Sequence, residues 1–83
     1  MNEGQITFEI SSDCDQLHVH GDPEGLRRLA AILERLAAGS ESEHEHLMTE
    51  DWGRGELSSE LQGGQQGDRL VKEVTIHCWI DNY

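Results

Sequence analysis

The segment from Gly21 to Gly39 constrains the fold more than any other part of the chain, because its pattern is that of an amphipathic helix. Asp22 is a favourable N-cap, and Pro23 follows at the first helical position, where its missing N–H costs nothing. Gly39 is predicted to take the left-handed position that ends the helix. One arc of the helix is apolar and contains Leu26, Leu29, Ala30, Ile32, Leu33, Leu36 and Ala37. This arc is predicted to pack against another layer of the fold.

Two short alternating stretches precede the helix. Residues 5–11 and residues 16–20 each alternate apolar and polar side chains, which is the period of a half-buried strand. The polar residues 12–15 between them are typical of a turn, so the two stretches predict an antiparallel hairpin. The side chains expected to point inward are Ile6, Phe8, Ile10, Leu17 and Val19.

The chain after the helix predicts two more strands separated by a long loop. Residues 44–49 form the third strand, and the adjacent Leu47 and Met48 leave open which of them points inward. Residues 50–67 have no sustained period and contain five glycines, which is typical of a functional or mobile loop. The segment from Leu70 to Asp81 is predicted to be the longest strand. Its inward side chains are expected to be Val74, Ile76, Cys78 and Ile80.

This order predicts one domain over residues 1–83, of the α+β class. The expected architecture is a two-layer sandwich in which the helix covers one face of a four-stranded, mostly antiparallel sheet, in ββαββ order, and the other face is open. Because successive side chains of a strand point to opposite faces, the open face is expected to carry the imidazoles. These are His18, His20, His44, His46 and His77, with Trp79 beside them.

The formal net charge of −11 is large for 83 residues. It favours a partner with a positive surface and argues against a nucleic-acid binder, which needs a basic stripe. No apolar run approaches the roughly 20 residues of a membrane span, and the first residues lack the basic-then-apolar order of a signal peptide. A cytoplasmic location is therefore expected. Cys14 and Cys78 are expected to be free thiols there, with a disulfide between them as the alternative.

The histidines and the serines are the candidates for chemistry. Three or four imidazoles on one face could bind Zn²⁺, but alternating polar strand positions also explain them, and no Cys-x-x-Cys motif accompanies them. No Gly-x-Ser-x-Gly elbow is present, and the glycine-rich stretch 51–56 lacks the Lys-Ser/Thr ending of a phosphate loop. The sequence therefore predicts a protein that is not an enzyme, with no cofactor and no metal.

Three stretches of the chain resemble a known family. They are Gly21-Asp-Pro-Glu-Gly-Leu-Arg-Arg-Leu-Ala, His44-Glu-His-Leu-Met-Thr and Trp52-Gly-x-Gly-Glu-Leu-Ser, followed by a C-terminal strand that holds Trp79. Their order and spacing resemble the immunity protein 32 family of bacterial polymorphic toxin systems. The resemblance implies a non-enzymatic inhibitor that binds a cognate toxin in the cytoplasm of the cell that produces both.

The contact surface for such a toxin is predicted on the open sheet face and the long loop. Exposed tryptophans anchor interfaces, and carboxylates raise the rate of approach to a basic partner such as a nuclease. The alternatives for Trp79 are a core position at the sheet end, a cover formed by Trp52, or contact with a second copy in a homodimer. The predicted partner-binding residues are His44, His46, Glu50, Asp51, Trp52, Glu56, His77 and Trp79.

Overall fold

The computed structural model describes residues 4–53, 55–63 and 67–80. Its class is α+β, as predicted, with antiparallel sheets and one helix in the described part of the chain. The predicted strand end at Asp81, and Arg54 and Gly64 of the predicted loop, lie outside the described residues. The elements are β1 (Ile6–Ile10), β2 (Leu17–Gly21), α1 (Pro23–Ala37), β3 (Glu43–Met48), β4 (Arg69–Leu70) and β5 (Glu73–Cys78).

The helix begins as its sequence predicts and ends differently. Asp22 Oδ1 accepts a hydrogen bond of 2.7 Å from the backbone N–H of Gly25, and Pro23 occupies the first turn. At the other end, Ala38 is the C-cap in a right-handed conformation (φ −78°, ψ −10°). Gly39 does not take the predicted left-handed position, because the last turn closes through its N–H on the carbonyl of Leu36 (3.4 Å).

The start of α1 is tied to the start of β1. Both carboxylate oxygens of Asp22 accept from the N–H of Gly4, at 3.1 and 2.9 Å, and Arg28 donates to the carbonyl of Gly4. The hydrogen bond from Gly25 and that from Gly4 hold the pKa of Asp22 below its usual value of 3.8. One carboxylate therefore caps the helix and fixes where the first strand meets it.

The predicted four-stranded sheet is divided in two. One sheet has the order β2-β1-β4 and the other has the order β3-β5, both antiparallel. The predicted long last strand changes partner along its length. The N–H of Val71 donates to the carbonyl of Phe8 in β1 (2.8 Å), whereas the carbonyl of the next residue, Lys72, accepts from the N–H of Thr49 just after β3 (2.9 Å). The sequence contains the cause, because the adjacent apolar residues Leu70 and Val71 break the alternation that resumes at Val74.

The predicted loop contributes to the core. Leu57 N–H donates to the carbonyl of Met48 (3.0 Å), and Ser58 N–H donates to the carbonyl of Ile6 (2.8 Å), so this pair joins the two sheets. The Leu57 side chain is 1% exposed. It packs in a cluster with Ile6, Phe8 and Leu47, surrounded by Leu29, Ile32, Val71, Val74 and Ile76.

The two faces of the β1–β2 hairpin also differ from expectation. The face predicted to be open is closed at β1, where Thr7 and Glu9 are both 0% exposed. The face predicted to lie under the helix is partly uncovered, with Leu17 60% and Val19 43% exposed. The apolar side chains of β1 are therefore better buried than those of the edge strand β2.

The Glu9 carboxylate is what closes the far side of β1. Its Oε2 accepts from Thr7 Oγ1 (2.6 Å) and Gln62 N–H (2.8 Å), and its Oε1 accepts from Gly63 N–H (3.0 Å). Burial pushes the pKa of Glu9 upward, but the hydrogen bonds from Thr7, Gln62 and Gly63 outweigh burial and hold the pKa below its usual 4.5. His20 Nε2 lies 3.7 Å from Oε1. The buried Glu9 carboxylate thus holds the backbone of Gln62 and Gly63 against β1.

We expect Glu9→Ala to lower the free energy of unfolding by about 2–4 kcal/mol, because it leaves the half-buried amides of Gln62 and Gly63 without their acceptor. Glu9→Gln retains the shape and should cost less than the alanine variant. The exposed Glu60→Gln is the matched control and should stay within about 0.5 kcal/mol of wild type. Urea unfolding followed by circular dichroism measures all three, and equal midpoints for Glu9→Ala and Glu60→Gln would contradict the role of Glu9.

Gly25→Ala should destabilise the protein, although alanine is normally the better helix former by about 1 kcal/mol. An added Cβ would overlap the backbone carbonyl oxygen of Gln5 and lie 2.9 Å from Asp22 Oδ1. Thermal unfolding should therefore show a lower midpoint for Gly25→Ala. Gly39→Ala is the control, since a Cβ there meets its nearest atom at an ordinary 3.6 Å. A higher midpoint for Gly25→Ala than for wild type would refute this packing.

Candidate functional site

A row of aromatic rings runs along the β3–β5 ribbon on the face that points away from α1. The ring centroids of His46 and His44 are 4.8 Å apart, those of His44 and His77 are 5.4 Å apart, and those of His77 and Trp79 are 6.4 Å apart. The sequence predicted these four residues on one face, and the structure brings them together. We name this face, together with Glu73 and Thr75, the outer surface of β3–β5.

The register of the two strands produces this row. His44 lies opposite His77, and His46 lies opposite Thr75, so each pair shares a face. The alternate pair, Leu47 opposite Val74, points to the core. The register left open at Leu47 and Met48 is thereby decided, with Leu47 1% exposed.

His46 is the most firmly held ring of the row. Its Nδ1 lies 2.8 Å from Glu73 Oε2 and 3.1 Å from Thr75 Oγ1. A carboxylate on one ring nitrogen leaves the other nitrogen free to face a partner. The row therefore offers hydrogen-bonding groups beside apolar ring area, a combination found at protein interfaces.

The five histidines do not form one cluster, because the sheet is divided. His18 and His20 lie on the hairpin, with ring centroids 6.2 Å apart, and His20 faces the buried Glu9. His44, His46 and His77 lie on the other sheet. Within residues 4–53, 55–63 and 67–80, no group of three His, Cys, Asp or Glu side chains is arranged to hold a metal ion. Cys14 and Cys78 are both free thiols.

The turn after β3 carries the second predicted tryptophan. It is closed by the N–H groups of Trp52 (3.0 Å) and Gly53 (2.7 Å), which both donate to the carbonyl of Thr49. The Trp52 side chain is 60% exposed, and Lys72 Nζ lies 5.9 Å from the centroid of its ring. This geometry is that of a cation–π contact.

Asp51 lies in the same turn and is already paired. Its Oδ2 accepts from Lys72 Nζ at 2.7 Å, and its Oδ1 accepts from Ser59 Oγ at 3.0 Å. The hydrogen bond from Lys72 is the largest cause that holds the pKa of Asp51 well below its usual 3.8. Glu50 is exposed beside it. The turn therefore presents negative charge and a tryptophan at one end of the ribbon.

Glu56 has a structural contact that the sequence did not predict. It is half-buried, and its Oε1 accepts a hydrogen bond of 3.1 Å from the backbone N–H of Met48. This bond caps the free amide at the end of β3. Glu56 therefore differs from the other seven predicted contact residues, because its carboxylate binds a backbone amide of this chain.

Trp79 stands at the other end of the ribbon and is 80% exposed, so it is not a core residue. About 20 Å of strand separates it from the turn that carries Trp52, which excludes Trp52 as its cover. Trp79 borders two hollows. The larger, of about 390 Å³, lies on the helix side and includes Leu33, Leu36 and Ile76, and the smaller, of about 130 Å³, includes Glu43 and His44. The larger hollow was not predicted from the sequence, although Leu33 at the border of the apolar arc was a signal for it.

The comparisons with known proteins identify the class of protein. A family profile described as "Immunity protein 32" matches residues 16–66, more than half of the chain. The chain belongs to the immunity protein 32 family, which confirms the resemblance. No curated protein matches the chain, and no solved structure matches it. In the part of the chain that the structure describes, no helix is long and apolar enough to cross a membrane.

Stability should fall in acid, because Glu9, Asp22 and Asp51 all have lowered pKa values in the folded protein. A carboxylate of this kind stabilises the fold above its unfolded pKa, and that stability is lost as the pH falls through the lower, folded pKa. For these groups the decline should begin near the usual values of 4.5 and 3.8 and continue below them. Chemical unfolding at pH 6, 5, 4 and 3 measures the decline.

Glu9→Gln removes one of these titrating groups and should give a shallower decline below pH 4.5 than wild type. Glu60→Gln, again the control, should follow the wild-type curve. A free energy of unfolding that rises between pH 5 and pH 3 would contradict the lowered pKa values.

Proposed function

We propose that this protein binds a cognate toxin and neutralises it by occluding the toxin's active surface, without catalysis. Membership of an immunity-protein family implies a toxin partner. The observation that carries the proposal for this chain is the contiguous row of His46, His44, His77 and Trp79, which lies on the outer surface of β3–β5. The toxin is expected in the cytoplasm of the producing cell.

The proposed contact surface is the outer surface of β3–β5 and the turn at its far end. Trp79 and Trp52, 80% and 60% exposed, would anchor the two ends of the contact. The histidines would supply hydrogen bonds between the anchors. Glu50 and Asp51 would add negative charge beside Trp52, whereas Glu56 would support the turn from within.

The charge of the chain favours a basic toxin. A net charge of −11 raises the association rate with a positively charged partner and disfavours partners of like charge. Toxins that act on polyanions such as nucleic acids carry positive grooves, and an acidic protein of this size fits the role of a cover for such a groove. The association rate with the toxin is then expected to fall as salt concentration rises.

Co-expression with the toxin encoded beside this protein's gene tests the proposal. The toxin alone should stop growth, and wild-type protein should restore it. Thr75→Arg places a long cation in the middle of the outer surface of β3–β5, where Thr75 is exposed. It should weaken binding about 100-fold or more, as a disrupted interface centre does.

Ala31→Arg is the matched control, because it adds the same side chain at an exposed position of α1. This variant should protect as wild type does. A toxin that is harmless alone, or that remains lethal with wild-type protein, would end the proposal. Equal protection by both variants would show that the toxin does not contact the outer surface of β3–β5.

Self-association through Trp79 is the second candidate function. The large exposed area of this side chain favours it, since single tryptophans are enriched at interfaces. Light scattering at tens of micromolar distinguishes the candidates: a monomer that binds the toxin supports neutralisation alone, and a dimer lost in Trp79→Ala supports self-association.

A further inference from the structure

The free edge of β5 lies between the outer surface of β3–β5 and the larger hollow. In its sheet β5 pairs only with β3, and no other strand of the described residues lies against its second edge. Soluble proteins usually protect such an edge with Lys, Pro or a bulge, because it can pair with another chain. Strand β5 contains none of these, since its sequence is Glu-Val-Thr-Ile-His-Cys in regular register with β3.

The helix side of this edge is mainly apolar. The larger hollow, of about 390 Å³, is bordered by His77 and otherwise by Leu33, Leu36, Ala37, Ile76, Cys78 and Trp79. Leu33 is 43% exposed, although it belongs to the apolar arc of α1. A leucine or phenylalanine side chain from another molecule would fit this space and cover Leu33.

The outer side of the edge is aromatic, because His77 and Trp79 are exposed there. Glu43 lies opposite Cys78 near the end of the ribbon that carries Trp79, and it is exposed. Among the described residues that border either hollow there is no lysine or arginine. A cation on the outer side would meet the exposed face of Trp79.

We infer that an extended segment of the toxin adds to β5 as a further strand of this sheet, with an apolar side chain in the larger hollow and a neighbouring Arg or Lys over the exposed ring of Trp79. This inference rests on the proposed function and names the part of the toxin that is recognised. Alternate residues of a strand point to opposite faces, so an apolar-basic alternation matches the two sides of the edge. In this mode the backbone hydrogen bonds supply affinity and the side-chain pockets supply specificity.

Charge complementarity favours a basic segment over a second copy of this chain as the occupant of the free edge of β5. Two copies would each bring a net charge of −11 to the contact. The segment of this chain nearest to Trp79 on the partner strand is itself acidic, with Glu41 and Glu43 both exposed. A basic strand would be attracted by these carboxylates, whereas a second copy would be repelled by them.

Binding of the toxin, inactivated in its catalytic site, to purified variants tests the inference. Leu33→Glu and Trp79→Ala should each weaken binding about 100-fold, because one fills the mouth of the hollow with charge and the other removes its wall. Glu43→Gln should weaken binding about 5-fold, mainly through a slower association with a smaller salt dependence. Circular dichroism should show each variant folded, since all three side chains are exposed.

Leu17→Glu is the matched control for Leu33→Glu. Leu17 is 60% exposed on β2, which is the edge strand of the other sheet. Its variant should bind the toxin within about 2-fold of wild type. Wild-type binding by Leu33→Glu, or equal losses for Leu33→Glu and Leu17→Glu, would overturn the docking site and leave the proposed function intact.

A titration that does not need the toxin separates the two proposals. The peptide acetyl-Arg-Leu-Arg-Leu-amide is added to the ¹⁵N-labelled protein, and amide shifts should be confined to β5, Leu33 and Trp79 and be lost in Trp79→Ala. Scattered shifts, or none at millimolar peptide, would overturn the docking site. If the peptide binds as expected but the toxin does not bind wild-type protein, the proposed function fails and the strand-accepting edge remains. Dimerisation of the protein through β5 would also refute a basic segment as the occupant.

Discussion

The buried carboxylate of Glu9 is the interaction on which the arrangement of the other elements depends. A charge at 0% exposure is tolerated only when its oxygens are satisfied, and here Thr7, Gln62 and Gly63 satisfy them. A side chain at position 63 would come within 2.8 Å of Glu9 Oε1, so the close approach of this backbone requires glycine. By fastening the end of the long connection to β1, Glu9 keeps Leu57 in the core.

The position of the β3–β5 ribbon depends on these hydrogen bonds to Glu9. Leu57 and Ser58 join β3 to β1, and the chain at residues 71–72 passes from β1 to β3 a second time. Two independent crossings fix the ribbon against the hairpin, while α1 packs on one of its faces through Leu36 and its neighbours. The opposite face keeps its histidines and Trp79 in contact with solvent. Backbone hydrogen bonds, more than a large core, therefore hold the outer surface of β3–β5 in its exposed position.

Periodicity predicted the helix, both strands of the hairpin, the apolar side of β1, β2 and β5, and the joint position of His44, His46, His77 and Trp79, whereas it left the inward side of β3 open. The division of the sheet was not predicted, because adjacent apolar residues such as Leu70 and Val71 do not reveal which strand each will join. The burial of Glu9 was not predictable either, since a carboxylate at an alternating polar position reads as solvent-facing. Two of the hydrogen-bond donors to Glu9 are backbone amides more than fifty residues away, and backbone groups carry no sequence signal.

The change of partner at Val71 and Lys72 also has a mechanical consequence. Because β4 and β5 are separated by only two residues, the two sheets cannot move far apart unless β4 leaves one sheet or β5 leaves the other. Force applied along β5 is passed through covalent bonds to β4, then through hydrogen bonds to β1, and from there to the segment that Glu9 retains. A ligand bound at β5 would therefore slow the opening of the entire chain, including elements that it never touches, and would lengthen the lifetime of the protein against proteases.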